Sequence, residues 1–388
     1  MDFGATREQE TIREAVRELC TRYPDQYWRD LDRRSAYPDE FVKALTDAGW
    51  LGALIPAEFG GAGLGMAEGS IILEEINASG GNAASAHAQM YTMGTLLRHG
   101  TDAQKKKYLP RSAKGELRLQ AFGITEPESG SETTRIRTTA TRRGDGYVVS
   151  GKKIFISRAR QSDLLLLLAR TTAYDNVADK TQGLSVFLVD LKAAAAKRQI
   201  TIRPIETMLN HHTTELFIEG LELAETDLVG TEGQGFRHIL DSWNAERILI
   251  ASESLGDGRW FVERAAHYAG DRVVFGRPIG TNQGVQFPIA QAHAHLVAAA
   301  LLRDKAAWLF DRGEPCGAEA NMAKLLASQA AWAAGNAAMD TLGGYAFAKE
   351  YDVERKFRET RLFLTAPVSN NLVLAYIAEH ILGLPRSY

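Results

Sequence analysis

Glu246 lies in the segment DSWNAERILIAS at 241–252. On a helix, Ile239, Trp243, Glu246 and Ile250 fall on roughly one face, which sets the carboxylate in an apolar stripe. Withdrawal from water raises a carboxyl pKa, so such a group is poised to take a proton from a weak carbon acid. The other role open to a glutamate there is an interhelical ion pair. Arg247 follows it directly and either orders the same site or serves as a structural ion-pair partner. Earlier in the chain, Thr125 and the Gly130-Ser131 turn of GITEPESGSE, at 123–132, offer hydroxyl and backbone donors at a strand-to-loop edge. Such donors suit the polar rim of a flat heterocycle and a pyrophosphate, although Thr-Glu-Pro alone is simply a turn. His211-His212 in MLNHHTTELF has the residue type of a metal pair. Neighbours on a strand point to opposite faces, however, and no acidic or cysteine partner sits at ligand spacing, so no metal is expected.

The elements that must hold these groups change type twice along the chain. From Ala5 to about Leu117 the apolar residues recur at helical spacing, with breaks at Tyr37-Pro38 and across 56–61. Met66 to Ala78 and Ala84 to His99 are long apolar stripes separated by Gly80-Gly81, and Asp102 is a candidate N-cap for another helix. From Arg118 to about Leu228 the chain turns to short runs rich in β-branched and aromatic residues: TTATRRGDGYVVSGKKIFIS, DLLLLLART, LSVFLVDL and TELFIEGLEL. Gly144-Asp145-Gly146 is the clearest hairpin signal, because tight hairpins demand positive φ. Helical periodicity returns from about Gly233, in segments Gly235 to Tyr268, Val285 to Arg312, Ala318 to Leu342 and Val368 to Leu382, which together make a bundle. The expected class is α+β, with an N-terminal α-helical domain over 1–117, a small β domain over 118–228 and a C-terminal helical bundle over 229–388.

Composition narrows the partners. With 388 residues and 45% apolar content the chain can build substantial cores. Its 45 Lys+Arg against 48 Asp+Glu leave a net charge of −3, so no bulk field favours nucleic acid. Cys20 and Cys316 are far apart without metal-like spacing and read as reduced core thiols, which favours a cytoplasmic location. The opening MDFGATREQETIREAVREL is a charged amphipathic helix pattern without the long apolar stretch of a secretory signal. The longest aliphatic run, Leu164 to Ala169, falls far short of the ~20 residues a membrane span needs.

Six segments in order give the chain a family likeness from end to end: IPAEFGGAGLG at 55–65, GITEPESGSE at 123–132, GYVVSGKKIFIS at 146–157, GTEGQGF at 230–236, RVVFGRPIGTNQGVQFPIA at 272–290 and LGGYAFAKEYDVERKFRE at 342–359. In these the chain resembles the acyl-CoA dehydrogenases. The resemblance implies a helical domain, a small β-barrel and a four-helix bundle, with FAD as cofactor. It also implies that Phe122, Ile124 and Thr125 flank the flavin ring, that Gly130 and Ser131 approach the pyrophosphate, and that Phe155 and Ser157 sit near the reactive nitrogen. Phenylalanine at 155 stands where many relatives carry tryptophan; either supplies an apolar wall. Arg272, Phe275 and Gln283 fall in the segment that reaches the adenosine half of FAD across a subunit interface, and Gly343 and Gly344 at the same cofactor edge. Asp340 stands where an amide is expected.

The same likeness bears on the base. In most of the family it is a glutamate in a loop that an ungapped count places at Pro367, and proline can be neither a base nor an N–H donor. A minority class, including the isovaleryl- and long-chain enzymes, carries it on the first long helix of the bundle, where this chain has Glu246. The implied activity is α,β-dehydrogenation of an acyl-CoA to the trans-2-enoyl-CoA, with an electron-transferring flavoprotein as acceptor and a homotetramer, or a homodimer, as the assembly. The enolate-like charge would be met by Val368 in a loop shifted by one residue, or by some other donor. Thr213 and Thr214 resemble residues near the substrate mouth. Two other functions suit the same residues: an oxidase or flavin monooxygenase on this fold, and an acyl-thioester-binding protein that has lost its base.

Overall fold

A computed structural model describes residues 4–387; the outermost residues of the N-terminal pattern and of the bundle lie outside them. Chain contacts group the residues into two units, one of Met1–Phe41, Gly65–Ala83 and Asn244–Tyr388, the other of Val42–Leu64 and Ala84–Trp243. Two helices, α3 (Asp39–Asp47) and α8 (Gly235–Asp271), run from one unit into the other.

The first unit is helical. It holds α1 (Arg7–Thr21), α2 (Asp25–Arg34), α4 (Met66–Ala78), most of α8, α9 (Gln283–Asp311), α10 (Gly317–Leu342), α11 (Val353–Arg361) and α12 (Asn370–Tyr376). Thr6 and Gln9 form a capping box that starts α1. Small residues let the long helices approach: Ala292 and Ala299 of α9 and Ala323, Ala327, Ala330 and Ala334 of α10 are buried around Trp260, Phe261 and Leu296. At Gly256 of α8 a Cβ would stand 2.4 Å from the Glu74 carbonyl oxygen of α4, so only glycine permits that crossing. The last expected helix, Val368 to Leu382, is shorter in α form: α12 ends at Tyr376 and a π-turn, Ile377–Ile381, follows. Before it, α11 begins inside the motif 342–359 and is too short for its period to stand out.

Charge is buried in this unit in paired form. Glu74 accepts from Arg303 Nη2 at 2.8 Å and from Arg259 Nη1 at 2.6 Å, and Arg303 also donates to Ser252 Oγ at 2.9 Å. Burial alone would push the Glu74 carboxyl up, but the two guanidiniums outweigh it and hold its pKa at about 2.

In the second unit lie α5 (Ala84–His99), α6 (Asp102–Ala113), α7 (Leu191–Ala196) and an eight-stranded sheet. Its strands are β1 (Ala121–Gly123), β2 (Thr139–Arg143), β3 (Gly146–Ser157), β4 (Leu164–Arg170), β5 (Leu184–Asp190), β6 (Ile200–Pro204), β7 (Thr213–Ala224) and β8 (Leu228–Val229). Thr101, with Gln104 in a capping box, is the N-cap of α6, so Asp102 is its first helical residue rather than its cap. The β2–β3 hairpin turns at Gly144, φ 58°, as its sequence demands. The order is β6-β7-β3-β2-β4-β5-β8, with β1 beside β4. Among the described residues β6 and β8 do not pair, so the expected barrel is an open sheet. The end strands explain this: β8 is two residues long, and β6 ends on Pro204, which has no N–H to donate. Leucine occurs without alternation in β4 because both faces are covered. Leu165 and Leu167 pack with Tyr147 and Phe187, whereas Leu164, Leu166 and Leu168 pack with Met93 and Leu96 of α5 and Leu109 of α6. A short hairpin, β9 (Val273–Val274) with β10 (Arg277–Pro278), belongs to the first unit.

Candidate functional site

The residues singled out in the sequence fall in both units. In the second, Phe122 is buried in β1, and Ile124 and Thr125 follow where that strand ends. Their segment is fastened from beneath. Lys153 Nζ donates to the Ile124 carbonyl and to Glu126 Oε1, each at 2.9 Å, and the Ile154 N–H donates to the Thr125 carbonyl at 2.9 Å. Glu126 also accepts from the N–H groups of Arg137 and Thr138. Burial lowers the Lys153 pKa to about 8, with Glu126 opposing the fall. The Glu126 carboxyl is pushed up by burial but held below its usual range by Lys153 and the N–H donors. Gly130 and Ser131 form an exposed turn.

The other end of β3 is irregular. A register shift between Lys153 and Ile156 turns Phe155 outward, 62% exposed, with φ 58°. Ser157 faces Thr213 of β7, and Thr214 Oγ1 donates to the Ile156 carbonyl at 2.7 Å. Arg158, φ 56°, donates its N–H to the carbonyl of His212, φ 51°. Left-handed backbone at a bulky residue costs on the order of 1–3 kcal/mol, and here Phe155, Arg158 and His212 adopt it at one corner of the sheet. Arg158 Nη2 lies 3.3 Å from His211 Nδ1; a guanidinium only donates, so Nδ1 accepts and the ring proton is on Nε2. Burial, then the charges of Arg158 and its histidine neighbours, depress the His211 pKa well below normal and keep the ring neutral. The histidines precede β7 rather than lie on it, and no cluster of metal-ligating side chains is found among the described residues.

In the first unit, Glu246 is half-buried on α8, the helix that also buries Ile239 and Ile250. Arg247 Nη1 donates to Asn244 Oδ1 at 3.3 Å, while its Nε is buried without a hydrogen-bond partner among the described residues. Burial lowers the Arg247 pKa, opposed first by the Glu246 carboxylate and then by Tyr376. On α10, Lys324 is fully buried and donates to the Val368 carbonyl and to Asn370 Oδ1, both at 2.7 Å. Its pKa falls to about 7, mainly through burial and secondarily through Arg247. The candidate base, two cations and the loop carrying Pro367 thus belong to one neighbourhood of one unit.

The remaining predicted residues are also in that unit. Phe275, φ 52°, is fully exposed in the turn between β9 and β10. The Arg272 guanidinium lies over the Tyr345 ring at 5.9 Å, which brings it to the turn begun by Gly343 and Gly344. A Cβ on either glycine would meet nothing within 4 Å, so both present open backbone. Gln283 is the exposed first residue of α9, and Asp340 is exposed near the end of α10. Sequence reasoning missed Lys153, Glu126, Arg158 and Lys324, and weighed His211 only as a metal ligand. A lysine amid the strand pattern at 152–157 was the one available signal; the other three look like ordinary surface residues until the fold buries them.

Comparison with known proteins gives a consistent result. Residues 6–116, 121–221 and 233–382 match the N-terminal, middle and C-terminal domains of acyl-CoA dehydrogenase. The acyl-CoA dehydrogenase fadE12 of Mycobacterium bovis is 35% identical over 389 residues, covering 100% of this chain and 99% of its own. The structure of a glutaryl-coenzyme A dehydrogenase with glutaryl-CoA superposes with a TM-score of 0.91 at 30% identity, covering 100% of this chain and 98% of that one. PigA in complex with FAD superposes at a TM-score of 0.92 and 26% identity, over 99% of this chain and 100% of that one.

Proposed function

This chain belongs to the acyl-CoA dehydrogenase family, FAD-dependent oxidoreductases acting on acyl-CoA thioesters, and from that membership we propose that Glu246 is its catalytic base and Arg247 its ordering partner. The observation that carries this reading is a half-buried carboxylate, on a helix that buries Ile239 and Ile250, beside the confined guanidinium of Arg247. Glu246 removes the proton α to the thioester carbonyl, and the product is the trans-2-enoyl-CoA. Bound FAD supplies the acceptor for the hydride that leaves the β-carbon. Arg247 orients the carboxylate between turnovers.

The donor set suits that cofactor. Thr125 and Ser157 supply hydroxyls, Phe122, Ile124 and Phe155 apolar walls, and Gly130 and Ser131 an open turn for phosphate oxygens. Arg272, Phe275 and Gln283, all exposed, supply a guanidinium, a ring and an amide for a nucleotide, with Gly343 and Gly344 leaving room for it. Lys153 supports the Thr125 segment without facing outward. Lys153→Met is therefore expected to weaken FAD retention about tenfold, the equivalent of one charge-assisted hydrogen bond. Fluorimetric titration of the apoprotein with FAD would read this, and unchanged affinity would remove Lys153 from the account.

The assembly is proposed to be a homotetramer built as a dimer of dimers, with a dimer as the second choice. Along α9, Phe287, Ala294, Leu301 and Trp308, each seven residues after the last, leave an apolar stripe exposed, with Val297 beside it. By length and composition α9 could also cross a membrane. Against a span, α9 packs on α10 through its alanines and carries Arg303, ion-paired with Glu74. Leu301→Lys should lower the mass measured by light scattering to that of a smaller assembly; an unchanged mass would place the contact elsewhere. A cytoplasmic site of action in fatty-acyl metabolism, with electrons passing to an electron-transferring flavoprotein, completes the proposal.

Turnover with an artificial electron acceptor tests the reaction itself. Accumulation of trans-2-enoyl-CoA with negligible hydrogen peroxide supports dehydrogenation. Peroxide formed in step with product would instead make the protein an oxidase, and tight thioester binding without product would make it a carrier or sensor.

A further inference from the structure

Removal of a proton α to a thioester builds negative charge on the carbonyl oxygen, and that charge requires a hydrogen-bond donor placed in advance. Lys324, beside Arg247, joins the surroundings of Glu246 to the loop before α12. Pro367 has no N–H, whereas the N–H of Val368, half-buried, makes no hydrogen bond among the described residues. The same residue's carbonyl is held by Lys324 Nζ at 2.7 Å. Lys324 also holds Asn370 Oδ1 at 2.7 Å, and the Asn370 amide in turn donates to Ser328 Oγ at 3.1 Å. An ammonium on a rigid helix thus grips the loop on both sides of Ser369. A fully buried lysine is costly to keep without a carboxylate, and Lys324 has none within ion-pair distance among the described residues. Its two acceptors are a carbonyl and an amide in the loop, so its cost is met by fixing that loop.

We propose that Lys324 is a positioning residue that, by fixing the carbonyl of Val368, aims the free N–H of Val368 at the thioester oxygen of the substrate. This rests on Glu246 being the base. The arrangement separates the tasks that one residue could otherwise combine: α8 carries the base, the loop before α12 carries the donor, and α10 holds that donor still. Lys324 itself does not touch the substrate.

The test is infrared difference spectroscopy of an acyl-CoA labelled with ¹³C at the thioester carbonyl, bound to the FAD-loaded enzyme, alongside anaerobic single-turnover rates. In wild type the carbonyl stretch shifts to lower frequency on binding. Lys324→Met is expected to lose much of that shift and to reduce flavin about 10- to 100-fold more slowly, with little change in KM and with FAD content retained. Lys324→Arg, which keeps a donor to the loop, should recover part of both. Asn370→Ala loosens the same grip from its other end and gives the same reading if the lysine variants fail to fold. A wild-type shift preserved in full in Lys324→Met and Asn370→Ala would overturn the positioning role while leaving Glu246 as base. No carbonyl shift in a wild-type enzyme that turns over would overturn the donor. A wild type that neither shifts the carbonyl nor reduces its flavin would overturn the reading of the whole site.

Discussion

Glu246→Gln is expected to fold, to bind FAD and acyl-CoA, and to reduce its flavin about 10²- to 10⁴-fold more slowly than wild type. The amide matches the carboxylate in shape and leaves Arg247 a neighbour to bond, so the apolar face of α8 should pack as before. What it cannot do is accept the α-proton. Stopped-flow measurement at saturating thioester isolates this step from binding, and the loss should appear in the limiting rate rather than in KM. An unchanged limiting rate would place the base elsewhere. Pro367 cannot take its place, and two buried carboxylates of the helical unit, Glu74 and Asp257, are committed to guanidinium or ammonium partners.

Glu74→Gln should destabilise the protein by about 3–5 kcal/mol, because it leaves Arg303 buried with its main counter-charge gone. The pH dependence gives a second reading of the same pair. The folded-state pKa of Glu74, about 2, lies below its ordinary value of 4.5. The stabilisation is therefore fully present above pH 4.5 and is lost as pH falls toward 2, where the folded protein must also take up the proton. Denaturant unfolding of wild type across that window should show falling stability, and the variant, having no carboxylate to protonate, should show a shallower fall. A destabilisation below about 1 kcal/mol would mean that the network relaxes around the missing charge.

Much of this architecture was written in local pattern. The apolar stripes at Met66–Ala78 and Ala84–His99 are helices with those limits, and the glycines at 144 and 146 bound a hairpin. Local period cannot report what a segment packs against. The N-terminal helical run, broken in sequence at Tyr37-Pro38 and 56–61, is divided elsewhere between two units, because α4 packs with α9 and α1 on α4 while α5 and α6 cover the sheet. Closure of the sheet depends on its two end strands meeting, a property of register and length that no single strand records. Thr101 outranked Asp102 as a cap because Gln104 completes its box, a three-residue relation that the isolated aspartate conceals.

The site shows the same division. Glu246, Thr125, Gly130 and Phe275 could be singled out by residue type and by likeness to a family. Their supports could not: Lys153 reaches Ile124 and Glu126 across 29 and 27 residues, and Lys324 reaches Val368 across 44. The strained corner at Phe155, Arg158 and His212 is likewise a product of strand register, since neither phenylalanine nor arginine favours left-handed backbone on its own.

The most direct test of the central claim is an anaerobic titration of the FAD-loaded protein with straight and branched acyl-CoA thioesters, following the flavin's visible absorption. One class of thioester is expected to bleach the wild type promptly, in a stoichiometric titration, and to leave Glu246→Gln oxidised over the same time. Equal bleaching of both proteins, or no bleaching by thioesters shown to bind, would contradict it.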